Sequence, residues 1–258
     1  MVLQETAPIL RKSLKDEVFR ILHERIINGQ YSPGEWLRQD DISIQLGISM
    51  TPVREALDLL VSAGLAERIP YRGVRIIQAS SQEIVDSYAM RLLLECSAIY
   101  IAAFNISSVQ LSGLENILDQ IKSLVQLKDV AHERALSLEL HRAMVSGSGN
   151  ELLQKMYLNV LNTFPDWMLY TYLIRHKDLL DKRISKEYVE HCEIVDALAK
   201  HQPQLAVSRT FEHITNFGLE LVNYLGIPGD LVHSTEDRIF PLLTQYMNSN
   251  NLSDKEIR

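Results

Sequence analysis

Leu46-Gly-Ile-Ser-Met-Thr-Pro-Val-Arg-Glu-Ala-Leu57 is the stretch on which the fold of this chain turns. Gly47 is a turn residue, free to take positive φ. Thr51-Pro52 then opens a helix. Threonine is a good N-cap, and proline is tolerated at the first helical position, where its missing N–H costs no bond. Val53, Ala56, Leu57 and Leu60 recur at i, i+3, i+4 and i+7, so one face is buried. Arg54, Glu55 and Asp58 lie off that face and stay available. Gly64 ends the helix.

Working outward, Leu14 to Asn28 carries a helical stripe of Leu14, Val18, Ile21, Leu22 and Ile26, stopped by Gly29. Ser32-Pro33-Gly34 reads as a tight turn. A short helix covers Gln39 to Gln45. Downstream, Leu65 to Ile69 and Gly73 to Ile77 alternate loosely around Pro70-Tyr71-Arg72-Gly73, a hairpin with a basic tip. Helix, turn, helix and basic hairpin in this order make a winged helix-turn-helix over 10–78. Such a recognition helix enters the major groove of DNA by its N-terminal end. Ser49, Met50, Thr51 and Arg54 stand there. Arginine can give two hydrogen bonds to guanine, and the hydroxyls suit phosphate. Arg38, just before the first of the two helices, is a candidate phosphate contact. Arg72, with Gly73 beside it, is a candidate for backbone or minor groove. The competing reading pairs Arg54 with Asp58 one turn on and leaves Arg72 solvated.

Beyond Ser80-Ser81 the texture becomes helical, with helices near 81–104, 107–128, 131–147, 150–177, 185–200, 203–225 and 235–248 and a frayed tail over 249–258. The expected fold is therefore mainly α, with an all-α antiparallel bundle over 79–248. A net charge of −7 argues at first against nucleic acid. Residues 1–78 hold ten of the 26 Lys/Arg and ten of the 33 Asp/Glu, so the whole deficit lies in the remainder. A neutral head can bind phosphate if its basic residues share a face. Cys96 and Cys192 are too few for a disulfide framework, which fits a reducing cytoplasm. No run approaches a membrane span in length, and no signal peptide is read.

Tyr31-Ser-Pro-Gly-Glu-Trp-Leu37, the Leu46–Leu57 stretch, Gly64-Leu65 and Pro70-Tyr-Arg-Gly73 together resemble the DNA-binding domain of the GntR family of bacterial regulators, over residues 12–78. The family usually has arginine where Met50 stands. The helical remainder resembles the FCD type of C-terminal domain, in which Arg91-Leu-Leu-Leu-Glu95 is similar to the first-helix segment and Leu140-His141 to the segment with the first metal histidine. The resemblance implies a homodimer on a palindromic operator, a small carboxylate effector, and a divalent metal (Zn²⁺, Ni²⁺ or Mn²⁺) on His141, His191 and His213.

The residues themselves place these histidines on apolar stripes: His141 with Leu138, Met144 and Val145, His191 with Tyr188, Val195 and Leu198, His213 with Ala206, Thr210 and Phe217. Neutral imidazoles meeting there can hold a metal. From the stripes alone each reads first as a core histidine with a satisfied hydrogen bond, and it is the family resemblance that favours the metal. Metal-binding relatives carry aspartate where Ser137 stands. Arg134, one turn earlier, is a cation for an anionic effector or else solvated. Arg91 is an effector contact or the i+4 partner of Glu95. Tyr170, Tyr172 and Arg175 are further pocket candidates. The resulting expectation is a ligand-responsive regulator, a repressor rather than an enzyme. Its alternatives are a metal-free acyl-CoA sensor and a metal-dependent hydrolase with a DNA-binding head. The hydrolase lacks support, because His132-Glu-Arg-Ala-Leu136 has no second histidine.

Overall fold

The structure, a computed structural model, describes residues 13–127, 130–163 and 166–247. It divides into two compact units, one ending at Gln78 and one beginning at Ala79. The expected tail over 249–258 lies outside the described residues.

The first unit holds helices α1 (Leu14–Ile27), α2 (Gln39–Leu46) and α3 (Met50–Ser62) and strands β1 (Trp36–Leu37), β2 (Ala66–Ile69) and β3 (Gly73–Ile76). Val18, Leu22, Ile26 and Ile27 of α1 meet Val53, Ala56, Leu57 and Leu60 of α3 in a core closed to solvent. Gly47 caps α2 at φ 66, the left-handed conformation that glycine adopts without strain. This turn sets α2 against α3. Two details correct the sequence expectations. Ser49, not Thr51, is the N-cap of α3, so Pro52 sits third in the helix. It is harmless there, because the first four helical N–H groups have no helical acceptor. The hairpin also gains a strand: β1 pairs antiparallel with β3, giving the order β1-β3-β2. Two residues are too few for an alternating pattern to declare itself.

The second unit holds α4 (Ser81–Asn105), α5 (Ser108–Leu127), α6 (Val130–Ser146), α7 (Glu151–Thr163), α8 (Trp167–Ile174), α9 (Lys177–Ala199), α10 (Pro203–Leu225) and α11 (Gly229–Met247). A capping box starts α4: the Ser80 hydroxyl accepts from Glu83 N–H while the Glu83 carboxylate accepts from Ser80 N–H. α4 packs against α6, α7, α9, α10 and α11. By length and composition it could cross a membrane, with a mean hydropathy of 1.3 over 18 residues. That departs from the expectation that no run approaches such a length. Its apolar residues cover the core instead, and Arg91 and Glu95 are buried among them.

Three boundaries differ from the sequence reading. The single helix expected over 150–177 is two, α7 and α8. Pro165 stands in the sequence between them, and proline removes a helical donor and clashes with the carbonyl four residues back. α9 starts eight residues before the expected 185, because Leu180 and Ile184 continue the buried stripe of Glu187 and His191. α11 starts at Gly229 rather than 235 and carries Pro241 inside it.

Candidate functional sites in the two units

In the first unit, α3 presents its start to solvent. Met50 is 52% exposed, and Ser49, Thr51 and Arg54 are exposed with it. The alternative pairing of Arg54 with Asp58 is not formed, since Asp58 is engaged by Arg68 of β2. Arg38, Arg72 and Gly73 line one open groove of about 700 Å³ with Trp36 and with Asp40 and Asp41 of the first turn of α2. Two of the predicted basic contacts are thus brought together. Arg72 lies at the exposed hairpin tip, next to Tyr71, whose φ of 63 is unusual for a side-chain-bearing residue.

In the second unit, α6, α9 and α10 bring His141, His191 and His213 into one buried pocket, with ring centroids 4.8–5.1 Å apart. His191 Nε2 lies 3.1 Å from His141 Nε2. The pocket orients these rings from behind. His141 Nδ1 donates to Glu95 Oε1 at 2.5 Å, and His213 Nδ1 donates to Glu190 Oε2 at 2.8 Å. Holding the proton on Nδ1 leaves Nε2 of those two rings unprotonated and able to accept. Glu95 is itself held by Arg91 Nε at 3.0 Å and by the Tyr157 hydroxyl at 2.9 Å. Burial and its two neighbouring imidazoles push His191 well below its ordinary value, and burial with His141 brings His213 down to about 3. Neutral rings are the form that binds metal.

Ser137 does not leave the pocket without a carboxylate. Glu187 of α9, one turn before His191, reaches in from the other side. A ligand atom from each of His141, Glu187, His191 and His213 lies within 4.8 Å of the others. The Ser137 hydroxyl donates to Glu187 Oε1 at 3.1 Å, and Arg183 stands 3.2 Å from Glu187 Oε2. Burial alone would raise this carboxyl, but the Arg183 guanidinium beside it brings it down to about 2, so it is ionised.

Two family descriptions match this chain: "Bacterial regulatory proteins, gntR family" over residues 14–76 and "FCD domain" over residues 86–216. It belongs to the GntR family. Among relatives of this GntR regulator are a probable D-xylose utilization operon transcriptional repressor from Paenarthrobacter nicotinovorans and the gluconate operon transcriptional repressor of Bacillus subtilis. The first is 27% identical, over 81% of this chain and 89% of that protein. The second is 25% identical, over 61% and 64%. The solved structure of E. coli McbR/YncC superposes with a TM-score of 0.64 at 20% identity, covering 83% of this chain and all of that one, a likeness of fold. This GntR regulator is therefore a helix-turn-helix transcription regulator.

The remaining sequence candidates fall into place around the pocket of the regulator. Arg91 pairs with Glu95, the second of its two readings, and also lines the cavity, 3.3 Å from His141 Nε2. Arg134 is not solvated. It is buried against Asp166, the residue that precedes α8, at 2.5 and 3.1 Å. Tyr172 is a correction: it stacks on His176 and Tyr224 and is not among the cavity-lining residues. Tyr170 lines the cavity instead, since two helical steps turn a side chain to the far face. Arg175 is exposed. Sequence reading missed Glu95, Arg183 and Glu187 as pocket residues. The i,i+4 spacing of Glu187 and His191 was the available signal.

Proposed function

We propose that this chain is a ligand-responsive repressor that binds a palindromic operator as a homodimer and holds a divalent metal, Zn²⁺, Ni²⁺ or Mn²⁺, on His141, His191, His213 and Glu187. The carrying observation is the convergence of three imidazoles, two of which (His191 and His213) burial holds neutral, and one ionised carboxylate in a buried pocket. Nitrogen and carboxylate donors in this number suit those ions. One further fact fits a cation. His191 Nδ1 is buried with no partner, so one of its ring nitrogens is left unmatched.

When bound, the metal supplies a Lewis-acidic point for a small carboxylate effector. Arg91, Arg134 and Ser137 line the same cavity and would fix the rest of that effector. The cavity holds about 20 Å³, room for an ion or a water, so a small carboxylate would enter only as the lining side chains move, and an acyl chain would demand far more. This favours the metal-dependent sensor over the acyl-CoA reading. Arg54, Thr51, Ser49 and Met50 would meet base edges, and Arg38, Arg72 and Gly73 the DNA backbone. Repression is supported by the names of the two relatives. A regulator that works on DNA works in the cytoplasm.

Metal content of purified wild type and of His191→Ala tests the pocket. About one metal per chain in the wild type and loss in the variant are expected; equal content in both overturns the site. A mobility-shift assay on DNA flanking the gene tests the head. Absence of salt-sensitive, sequence-preferring binding overturns the regulator reading.

A further inference from the structure

We infer that Met50 is a base-reading residue that selects thymine through its C5-methyl group; this rests on the DNA-binding role proposed for α3. Single exposed apolar residues are ordinary on protein surfaces, so exposure alone says little. The position of this one is what carries the inference. Met50 is the first residue of the recognition helix, 52% exposed, between the exposed hydroxyls of Ser49 and Thr51. The helix is anchored by Val53, Ala56, Leu57 and Leu60, all closed to solvent, so the start of α3 is presented rigidly. Met50 and Arg54 are one turn apart on one side of the helix, separated by about 6 Å along its axis.

A methionine side chain offers no hydrogen-bond donor and only a weak acceptor. It cannot read the O6 and N7 acceptors of guanine. The major-groove edge carries one apolar feature, the thymine methyl group. A long, flexible thioether can reach that methyl and shed water from both surfaces. The start of α3 would then read two kinds of base pair side by side, guanine by Arg54 and thymine by Met50, within one or two base pairs of each other.

The test begins with selection of operator sequences from a random duplex pool by the full chain. Deoxyuridine is then substituted for each selected thymine in turn. This removes the methyl group and leaves the hydrogen-bonding edge intact. Wild type is expected to bind about fourfold more weakly at one thymine per half-site, the value of one buried methyl group. Met50→Ala should lose that sensitivity and keep the rest of the pattern. Met50→Arg should shift selection at that position toward G·C. Met50 is exposed, so both variants should melt with the wild type. A wild type that selects an operator but shows no uridine effect dependent on Met50 overturns the inference while leaving the regulator reading intact. A chain that selects no sequence at all overturns both.

Discussion

At the proposed metal site, Glu187 would stand in for a carboxylate from a different helix. Relatives that bind metal are expected to carry a carboxylate where this chain has Ser137, on α6. Here the carboxylate comes from α9, and the serine hydroxyl holds it in place. Glu187→Gln removes the anionic ligand but keeps the shape. Metal affinity should fall at least 10-fold, read by competition with a chromogenic chelator. Glu95 acts through His141 rather than on the metal. Glu95→Gln should lower metal affinity by about 10–100-fold through the misoriented ring. It should also cost about 3–5 kcal/mol of stability, because Arg91 is left as an uncompensated buried charge. Chemical denaturation of the metal-free protein separates the two effects. In the head, Arg54→Ala should weaken operator binding by about 1–3 kcal/mol and relax one base position, whereas Arg72→Ala should weaken all sequences alike and lower the salt slope by about one. Anisotropy titrations at several salt concentrations distinguish them.

At the scale of elements, the contact of α4 with α10 depends on a missing side chain. A Cβ on Gly218 would stand 2.7 Å from the Tyr88 hydroxyl and 2.9 Å from its Cζ. Tyr88 cannot swing away without losing its 2.5 Å hydrogen bond to Glu236 of α11. Alanine is the better helix former by about 1 kcal/mol, yet overpacking a rigid ring costs about 1–3 kcal/mol. Gly218→Ala is therefore expected to destabilise the chain, measured by urea unfolding.

The pairing of α6 with α9 makes a second prediction. Glu133 is buried near Glu187, and burial with that neighbouring charge raises it to about 8. Unfolded, it ionises near 4.5. Its contribution to stability is complete below that value and is lost as pH rises through about 8. Glu220, raised to about 7 by burial, acts in the same direction. His213 acts on the acid side: neutral in the fold down to about 3, it favours the fold above 6.5 and loses that contribution as pH falls. Between about 6.5 and 8 the carboxyl slopes stand alone. The melting temperature of metal-free protein should fall across that interval, and a divalent ion should reduce the fall by compensating the ionised carboxylates. A flat or rising profile in chelator would contradict this account.

For the whole molecule, the charge distribution matters more than its sum. The acidity lies in the second unit, where buried carboxylates surround the histidines, and the first unit is neutral. Its exposed basic residues can therefore meet phosphate despite the overall charge of −7. If metal and effector bias the orientation of paired heads, stripping the metal should change operator affinity by about the same factor in the wild type and in an Arg54→Ala protein, whose own loss is local to the DNA contact. Mobility shifts with and without chelator read this directly.

The head was legible because its signals are local. Gly47 ends a helix by its own backbone freedom, the stripe from Val53 to Leu60 names its buried face, and Arg72 marks a hairpin tip. Periodicity also gave most helices of the second unit, and the stripes carrying His141, His191 and His213. It could not give β1, whose two residues pair only once β3 is in place. Nor could it show that Arg134 is neutralised by Asp166 across 32 positions, or that Glu187 takes the place left by Ser137. Helical pattern follows from spacing along one element, but a ligand set is a set of distances between elements. The sequence by itself determined a DNA-binding head on an all-helical body. Only the packing of α6, α9 and α10 decided which carboxylate faces the histidines, because that depends on which side chains three separate helices bring within a few ångströms.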